Sequence, residues 1–283
     1  MVSVFLNLFK SLIAKYIKTH YFKTMRLCRA TDNDISQLKT LWSEIFNSPK
    51  SFIDEFFEKR WLIDHCYVAK DKNNIVSAIH CLQFSYTRNM NITEVSYIVG
   101  CATKPNYRKQ GLATSLLDLA HKDEGKILTL NSNLNPFFER HGFFYSSQNV
   151  CYPLKGNSLN PVTDCKEDIS SIYVNATEET GSLDRDAYAW KLLRDNCKTI
   201  IVESSFQRAY ALVIDDVAFE TMCEGSESAK ALKKKMEEFN ISQVWMPSNS
   251  PLSYLFNTPP TFIPLGMSNE KNICSGIYIP QQF

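Results

Sequence analysis

The sequence predicts an α/β fold, in which helices flank a mixed central sheet, followed by a second and smaller α+β domain. Three observations lead to this prediction. Apolar residues in the first half switch repeatedly between the spacing of a strand and that of a helix. The second half is less regular, with hairpin-like segments and a charged helical segment. The length of 283 residues is near the size at which a single core stops growing, which favours two domains.

Turn residues mark where the elements of the first half end. Thr31 or Asp32 can cap the first helix, and Asn47-Ser48-Pro49 breaks it. Asp71-Lys72-Asn73-Asn74 suits a hairpin turn, and Gly142 ends a short helix. The predicted elements are a strand at 26–29, helices at 34–46 and 52–61, strands at 66–70, 75–86 and 94–103, a helix at 112–121, a strand at 127–131, a short helix at 136–140 and a strand at 143–152.

The second half follows a linker rich in Gly, Asn, Ser and Pro. We predict a first domain at 25–154, the linker at 155–165 and a second domain at 166–283. The predicted elements of the second domain are a helix at 184–194, a hairpin across 199–222, a charged helix at 227–239, a strand at 241–246, a Pro-rich segment at 247–264 and a last strand at 273–279.

Residues 1–24 differ from the rest, because they carry four lysines and no acidic residue. Two interpretations stay open for this basic extension. It forms an amphipathic helix on a membrane surface, or the native chain starts at Met25 and the segment is an upstream extension, helical or disordered.

Composition narrows the class of function. The net charge of +1 argues against nucleic acid or an anionic membrane as the main partner. No stretch approaches the roughly 20 apolar residues of a transmembrane helix. Nine cysteines occur without a CxxC pair or a His/Cys grouping. We therefore expect reduced thiols, a cytoplasmic location and no metal site. Oligomeric state stays open, a homo-oligomer included.

The most informative stretch is the turn Thr103–Thr114, which follows a strand and opens a helix. Backbone N–H groups at a helix N-terminus bind anions, phosphates in particular. Gly111 lets a ligand approach the backbone closely, and Ala113 is too small to obstruct it. Arg108 and Lys109 add positive charge. These features are equally consistent with a phosphate-binding turn and with a plain strand–helix loop that has a basic surface.

In context this turn resembles the signature of the GNAT (GCN5-related) N-acetyltransferases. Residues 97–114 have the apolar strand, the Pro-x-Tyr-Arg and the Arg-x-x-Gly-x-Ala of that signature. Residues 135–143, Asn-Pro-Phe-Phe-Glu-Arg-His-Gly-Phe, resemble the second motif, aromatic-Tyr-Glu-x-x-Gly-Phe. The opening helices and the second half resemble the tandem, Eis-like (enhanced intracellular survival) branch without its sterol-carrier-like domain. The second domain is then a candidate degenerate GNAT repeat.

The resemblance implies that residues 25–154 bind acetyl-CoA as co-substrate. The turn would hold the pyrophosphate, and the backbone of Cys101 and Thr103 would pair with the pantetheine arm. The acetyl group would sit where the strands before and after the first motif splay apart. The cofactor-binding residues implied in this way are Cys101, Ala102, Thr103, Arg108, Lys109, Gln110, Gly111, Leu112, Ala113, Thr114, Phe137 and Phe138.

The sequence departs from the GNAT pattern at one position that concerns catalysis. Many GNAT enzymes use a Tyr of the second motif to protonate the leaving thiolate, and Phe138 stands at that position here. A general acid typically contributes about 10²–10⁴-fold, so its loss slows the reaction without forbidding it. Water or Tyr145 could substitute. For the base, Glu94 and His80 are candidates, although Glu94 is readily explained as solvated and His80 as a core residue.

The leading hypothesis is transfer of an acetyl group from acetyl-CoA to an amine of a small molecule or peptide, by direct attack in a ternary complex. A first alternative is a catalytically weak acyl-CoA-binding or regulatory module, motivated by Phe138. A second is an aminoacyl-tRNA-dependent tandem-GNAT transferase, against which the intact turn argues. The acceptor itself is not readable from the sequence.

Overall fold

The computed structural model describes residues 25–125, 127–130, 134–156 and 160–270. The predictions for residues 1–24 and for a strand at 273–279 lie outside this part of the chain. The chain divides into two compact units, one of Met1–Gln83 with Ser96–Lys126 and the other of Phe84–Val95 with Ile127–Phe283. Compactness is a different criterion from the domain boundaries inferred from sequence, which stay a prediction.

The first unit contains four strands that lie side by side in chain order. β1 pairs antiparallel with β2, and β2 with β3. The hairpin end of β3 and β4 belongs to the second unit. The elements are β1 (Met25–Arg29), α1 (Ile35–Phe46), α2 (Lys50–Lys59), β2 (Cys66–Asp71), β3 (Asn74–Arg88), β4 (Asn91–Thr103) and α3 (Leu112–Glu124).

Local chemistry explains these boundaries. α1 ends at Asn47, which adopts a left-handed φ of 51°. α2 begins at Lys50, two residues before its predicted start, because Pro49 is well suited to the N-terminus of a helix. The predicted hairpin turn is confirmed: Asp71 and Asn74 face each other across it, and Lys72 has a φ of 56°.

Apolar faces of the three helices form much of the core of the first unit. From α1, Leu38, Leu41 and Trp42 are buried. From α2, Ile53, Phe56 and Phe57 are buried. From α3 the buried residues are Leu112, Leu116, Leu117 and Ala120.

The second unit contains one further set of strands, in the order β5, β12, β6, β11, β10, β9 and β8. β10 and β11 pair in parallel. The pairs β5–β12, β12–β6, β6–β11, β10–β9 and β9–β8 are antiparallel. The elements are β5 (Ile127–Leu130), α4 (Asn135–Glu139), β6 (Phe144–Pro153), α5 (Ser170–Thr177), β7 (Ser182–Leu183), α6 (Ala187–Asn196), β8 (Lys198–Ser204), β9 (Gln207–Ile214), β10 (Val217–Cys223), α7 (Ser226–Met236), β11 (Gln243–Pro247) and β12 (Thr261–Ser268).

Two apolar clusters stabilise this unit. One places α7 against β6, β9 and β11, through residues such as Leu232 and Met246. The other gathers α5 and α6 on β9 and β10, through residues such as Trp190 and Tyr210. Burial of each such side chain contributes roughly 1.5–3 kcal/mol.

Three elements here escaped the sequence prediction. The helix α5 and the two-residue strand β7 were not predicted. The segment 247–264 was described only as Pro-rich, yet the long strand β12 begins inside it at Thr261. Pro264 hides this strand, since proline is rare within sheets outside edges and bulges. The register of β12 against β6 shifts between Pro264 and Gly266, so the proline lies at an irregularity that tolerates it.

Candidate functional site

The end of β4 presents backbone groups in a defined direction. Lys104 N–H donates to Val76 C=O on β3 at 2.9 Å. Because backbone groups alternate sides along a regular strand, those of Thr103 and the C=O of Cys101 point away from β3. Ser77 supports this strand end, because its hydroxyl donates to Ala102 C=O at 2.9 Å. The end of β4 therefore turns backbone groups of the two residues predicted to pair with a ligand away from β3.

The turn after β4 has the conformation that the phosphate-binding prediction requires. Gly111, with a φ of 83°, is the residue that precedes α3. Lys109 also has a left-handed φ, of 60°. Such alternation of backbone conformation can form a concave N–H nest for an anion. The first bond of the α3 ladder runs from Ser115 N–H to Gly111 C=O at 3.0 Å, so the N–H groups of the two residues after Gly111 precede that ladder.

Side chains brace this turn from within the first unit. Tyr107 OH donates to the Asp71 carboxylate at 2.9 Å, which ties the turn to the β2–β3 hairpin. Gln110 Nε2 donates to Asn106 C=O at 3.1 Å. Arg108 Nε donates to Thr103 C=O at 3.0 Å. The Arg108 side chain is exposed, and its terminal nitrogens could contact an anion while Nε stays on the backbone.

The predicted cofactor residues fall into two groups. Those from Cys101 to Thr114 are brought together by β4, the turn and α3, all in the first unit. Leu112 is buried, so only its backbone could contact a ligand. Phe137 and Phe138 belong to the second unit. Burial raises the pKa of the Cys101 thiol to about 12, which makes this cysteine a neutral thiol rather than a nucleophile.

Gly100 lies inside β4 just before the outward-facing residues, and its φ is 61°. A Cβ at this position would lie 2.3 Å from Trp42 Cζ2 and 2.9 Å from His80 Cδ2. Both the left-handed backbone and the close approach of the indole therefore require glycine. The sequence motif contains this glycine, but its spacing alone does not reveal the contact with α1.

His80 is a core residue. Its Nε2 accepts a hydrogen bond from Trp42 Nε1 at 3.0 Å, and its ring is 2% exposed. Burial lowers the pKa of His80 to about 3, so the imidazole is neutral. Since Nε2 accepts, Nδ1 carries the proton, and within the described residues Nδ1 has no hydrogen-bond partner. This geometry favours the core interpretation over that of a catalytic base.

The other catalytic candidates lie in the second unit. Glu94 is exposed and accepts from Ser85 Oγ at 3.0 Å. Tyr145 lies on β6 and is 45% exposed. The Phe138 ring is 2% exposed and packs edge-to-face on Phe137 and Phe143, with centroids at 5.0 and 5.5 Å. Phe138, which the motif predicts at the position of the usual acid, is thus a packed apolar ring.

A buried carboxylate network at the C-terminal end of α3 was not predicted. The side chain of Glu124 is 1% exposed. It accepts from Tyr67 OH at 2.7 Å, Ser96 Oγ at 2.6 Å, Gln83 Nε2 at 3.0 Å and His65 Nδ1 at 3.0 Å. Glu124 continues the buried stripe of α3 at a spacing of four from Ala120, which is the signal that could have revealed it.

The hydrogen bonds decide the charge of this carboxylate. Burial by itself raises the pKa of Glu124, but the donors Ser96, Tyr67 and His65 outweigh it and the pKa is lowered. Burial and the neighbouring Glu124 charge raise the pKa of Tyr67, which therefore remains a neutral donor. The network is a satisfied anion that links α3 to β2, β3 and β4.

The second unit contains a comparable ion pair. Arg185 and Glu220, both at most 3% exposed, form two parallel hydrogen bonds of 2.7 Å. Tyr210 OH donates to Glu220 at 2.6 Å. The guanidinium lies over the rings of Tyr173 and Trp190, at 4.8 and 4.9 Å. The bidentate geometry and the aromatic contacts offset much of the desolvation cost.

Among the described residues, no group of three His, Cys, Asp or Glu side chains is placed to hold a metal ion. In the same part of the chain, no helix combines the length and apolar character needed to cross a membrane.

Comparison with known proteins finds a family match in the first half of the chain. Residues 26–133 match the family model of the acetyltransferase (GNAT) domain. No curated protein matches the sequence significantly.

Solved structures are similar in fold across most of the chain. A probable N-acyltransferase from Enterococcus faecalis has a TM-score of 0.68 at 17% identity, covering 87% of this chain and 72% of that one. Eis1 from Mycobacterium abscessus has a TM-score of 0.64 at 13% identity, with coverages of 86% and 72%. A putative acetyltransferase from Pyrococcus horikoshii has a TM-score of 0.52 at 17% identity, with coverages of 91% and 95%. At these identities the likeness establishes the fold.

Proposed function

Since residues 26–133 match the family model of the GNAT acetyltransferase domain, and the fold is similar to that of Eis1 across most of the chain, we propose that this protein transfers an acetyl group from acetyl-CoA to an amine. The acceptor is a small molecule or a peptide. The eight described cysteines are all free thiols, which supports a reducing, cytoplasmic location as part of this proposal.

The observation that carries the proposal is the backbone geometry from Cys101 to Gly111. The end of β4 turns backbone groups of Cys101 and Thr103 away from β3, as an added ligand strand would require. Gly111 then opens α3, a helix of thirteen residues, in a left-handed conformation. A diphosphate suits the N-terminus of such a helix, and Arg108 and Lys109 add two exposed positive charges beside it.

The proposed reaction is direct attack in a ternary complex. The neutral amine attacks the thioester carbonyl, the new C–N bond forms, and the C–S bond breaks to release the CoA thiolate. A backbone N–H stabilises the oxyanion, and the ammonium proton passes to solvent or to a base. Because a thiol has a pKa of about 8.5, the thiolate can leave at neutral pH without an acid.

A second candidate function is an acyl-CoA-binding module with weak catalysis. It is favoured by Phe138, a buried ring at the position of the usual proton donor. The two functions share the cofactor site and differ in turnover.

Pure protein distinguishes them. Acetyl-CoA is offered with a panel of amines (polyamines, aminoglycosides, aryl amines and peptide N-termini), and free CoA is measured with a thiol reagent. The enzyme releases CoA in an amine-dependent reaction. A binding module is stabilised thermally by acetyl-CoA but releases none, and a protein that does neither refutes both candidates.

Gly111→Asp tests the cofactor site itself. The change places bulk and negative charge where the pyrophosphate would lie, so we expect the Kd for acetyl-CoA to rise at least 10-fold, or about 1.4 kcal/mol. Gly125→Asp is the matched control, because Gly125 is the left-handed residue at the other end of α3, with a φ of 57°. Equal binding by Gly111→Asp and wild type contradicts the site, and an equal loss in both variants points to damage to the helix.

A further inference from the structure

The left-handed residue Gly100 interrupts β4 immediately before Cys101. Such a residue breaks the regular alternation of a strand, so the peptide groups beside it aim in a direction that a regular strand does not offer. Trp42 and His80 lie against this point, since a Cβ on Gly100 would meet Trp42 Cζ2 at 2.3 Å, Trp42 Cε2 at 2.7 Å and His80 Cδ2 at 2.9 Å. The β4 backbone at Gly100 therefore lies against one indole ring and one imidazole ring.

The indole of Trp42 is buried between aromatic rings and hydrogen-bonded to His80. It stacks on Phe56 with centroids 4.3 Å apart and an interplanar angle of 28°. The ring of Phe57 meets it edge-on at 5.7 Å. Trp42 is 3% exposed, and its Nε1–H donates to His80 Nε2 at 3.0 Å. The hydrogen bond sets the rotation of the indole, because stacking alone would let the ring slide in its plane.

Stability alone does not explain this polar pair. Burial keeps His80 neutral, and acceptance at Nε2 leaves a proton on Nδ1, which has no partner among the described residues. An unsatisfied buried donor is unfavourable, and two apolar side chains of similar shape would avoid it. What the pair adds is orientation: a directional bond holds the indole in one place under the Gly100 peptide.

We propose that Trp42 and His80 are positioning residues for acetyl transfer, which fix the backbone at Gly100 so that an N–H beside it polarises the thioester carbonyl. Neither side chain touches the acetyl group; both act through Gly100. This inference rests on the proposed function, since it assigns the orientation of the oxyanion donor in that reaction.

The proposal separates binding from chemistry. Pyrophosphate binding would depend on the turn at Arg108–Gly111, whose side chains bond to Thr103 and Asn106, whereas Trp42 and His80 bond to each other. A misdirected N–H should therefore lower kcat and leave acetyl-CoA affinity nearly unchanged. Removing an oxyanion donor typically lowers kcat about 10²–10³-fold, so we expect a loss of about 10–100-fold when the donor is present but misaligned.

The test compares His80→Gln with His80→Asn. The glutamine amide places its terminal atoms near the position of Nε2, so it can accept from Trp42. The asparagine amide reaches only the position of Nδ1, so it cannot. Trp42→Phe removes the donor instead. For each full-length variant, urea unfolding establishes the fold, calorimetry gives the Kd for acetyl-CoA, and the ¹³C resonance of bound [1-¹³C]acetyl-CoA reports polarisation of the carbonyl. kcat is measured with the best amine of the panel.

In wild type and His80→Gln we expect a downfield carbonyl resonance and similar kcat. In His80→Asn and Trp42→Phe the resonance should move back toward that of free acetyl-CoA, and kcat should fall about 10–100-fold, with Kd within about threefold of wild type. Identical resonances in all folded variants, or a kcat that falls only in step with affinity or folded fraction, overturn the positioning role. Absence of acetyl-CoA binding by wild type overturns the proposed function itself, and the two failures are thus distinct.

Discussion

Gly100→Ala is the substitution for which the structure predicts the most specific cost. Two terms add. An alanine in the left-handed region costs about 1–2 kcal/mol. Its Cβ would also lie 2.3 Å from the Trp42 ring, a distance that real contacts do not show. The indole would have to move within a filled core, and such overpacking costs about 1–3 kcal/mol more. We expect a total loss of roughly 2–5 kcal/mol.

Comparison of Gly100→Ala with Gly125→Ala isolates the second contribution, the steric conflict with Trp42. Gly125 has a φ of 57°, close to the 61° of Gly100, and its Cβ would meet nothing within 4 Å. Both residues belong to the first unit. The backbone strain is therefore matched, and only the contact with Trp42 differs. We expect Gly125→Ala to lose about 1–2 kcal/mol.

The measurement is urea and thermal unfolding followed by tryptophan fluorescence, in which Trp42 reports on the affected core. Each kcal/mol corresponds to a Tm change of about 2–4 °C for a chain of this order of size. Replacing Trp42 by Leu should cost less in the Gly100→Ala background than in wild type, because the two changes share one contact. Equal destabilisation by Gly100→Ala and Gly125→Ala, or strict additivity with Trp42→Leu, refutes the steric reasoning.

Three further predictions concern buried polar groups. Arg185→Met leaves the Glu220 carboxylate without its cation and should lower the free energy of unfolding by about 3–5 kcal/mol, as measured by chemical denaturation. The double variant Arg185→Met with Glu220→Leu should lie within about 2 kcal/mol of wild type, and a loss equal to the sum of the two single variants contradicts this. The lowered pKa of Glu124 stabilises the fold at pH values above its unfolded pKa of about 4.3, and this contribution is lost as the pH falls through the folded pKa. Glu124→Gln should therefore flatten the dependence of the free energy of unfolding on pH below about pH 5. Parallel curves for wild type and Glu124→Gln argue against this. Phe138→Tyr buries a hydroxyl among rings and should cost about 1–3 kcal/mol without raising turnover; faster acetyl transfer would show that the missing acid limits the rate.

Local pattern was sufficient for most of the first unit. The helix at Leu112–Glu124 and the hairpin at Asp71–Asn74 follow from apolar spacing and turn residues that lie within a few positions of each other. The conformation of the turn at Gly111 was equally readable, because a strand, a glycine and a helix start are adjacent in sequence. Where a local signal was misleading, as at Pro264 in β12, the strand was missed.

The hydrogen-bond and ion-pair partners of two buried groups could not be predicted in this way. Glu124 obtains its donors from Tyr67, Gln83 and Ser96, which are 57, 41 and 28 residues away. Glu220 obtains its cation from Arg185, 35 residues away. Each of these residues, taken alone in the sequence, is an ordinary polar or charged position with no spacing that connects it to its partner.

The sequence by itself determined the motif that resembles the GNAT signature, the order of the elements in the first half and the position of the Arg108–Gly111 turn, because each is written in residues that are neighbours along the chain. It left two interpretations open for His80, and the hydrogen bond from Trp42 favours that of a core residue. Only the tertiary structure decided what His80 does there. The bond to Trp42 and the contact of both rings with Gly100 join α1, β3 and β4. Such contacts depend on how α1 packs on the sheet, and no short-range sequence pattern encodes the distance between residues on different elements.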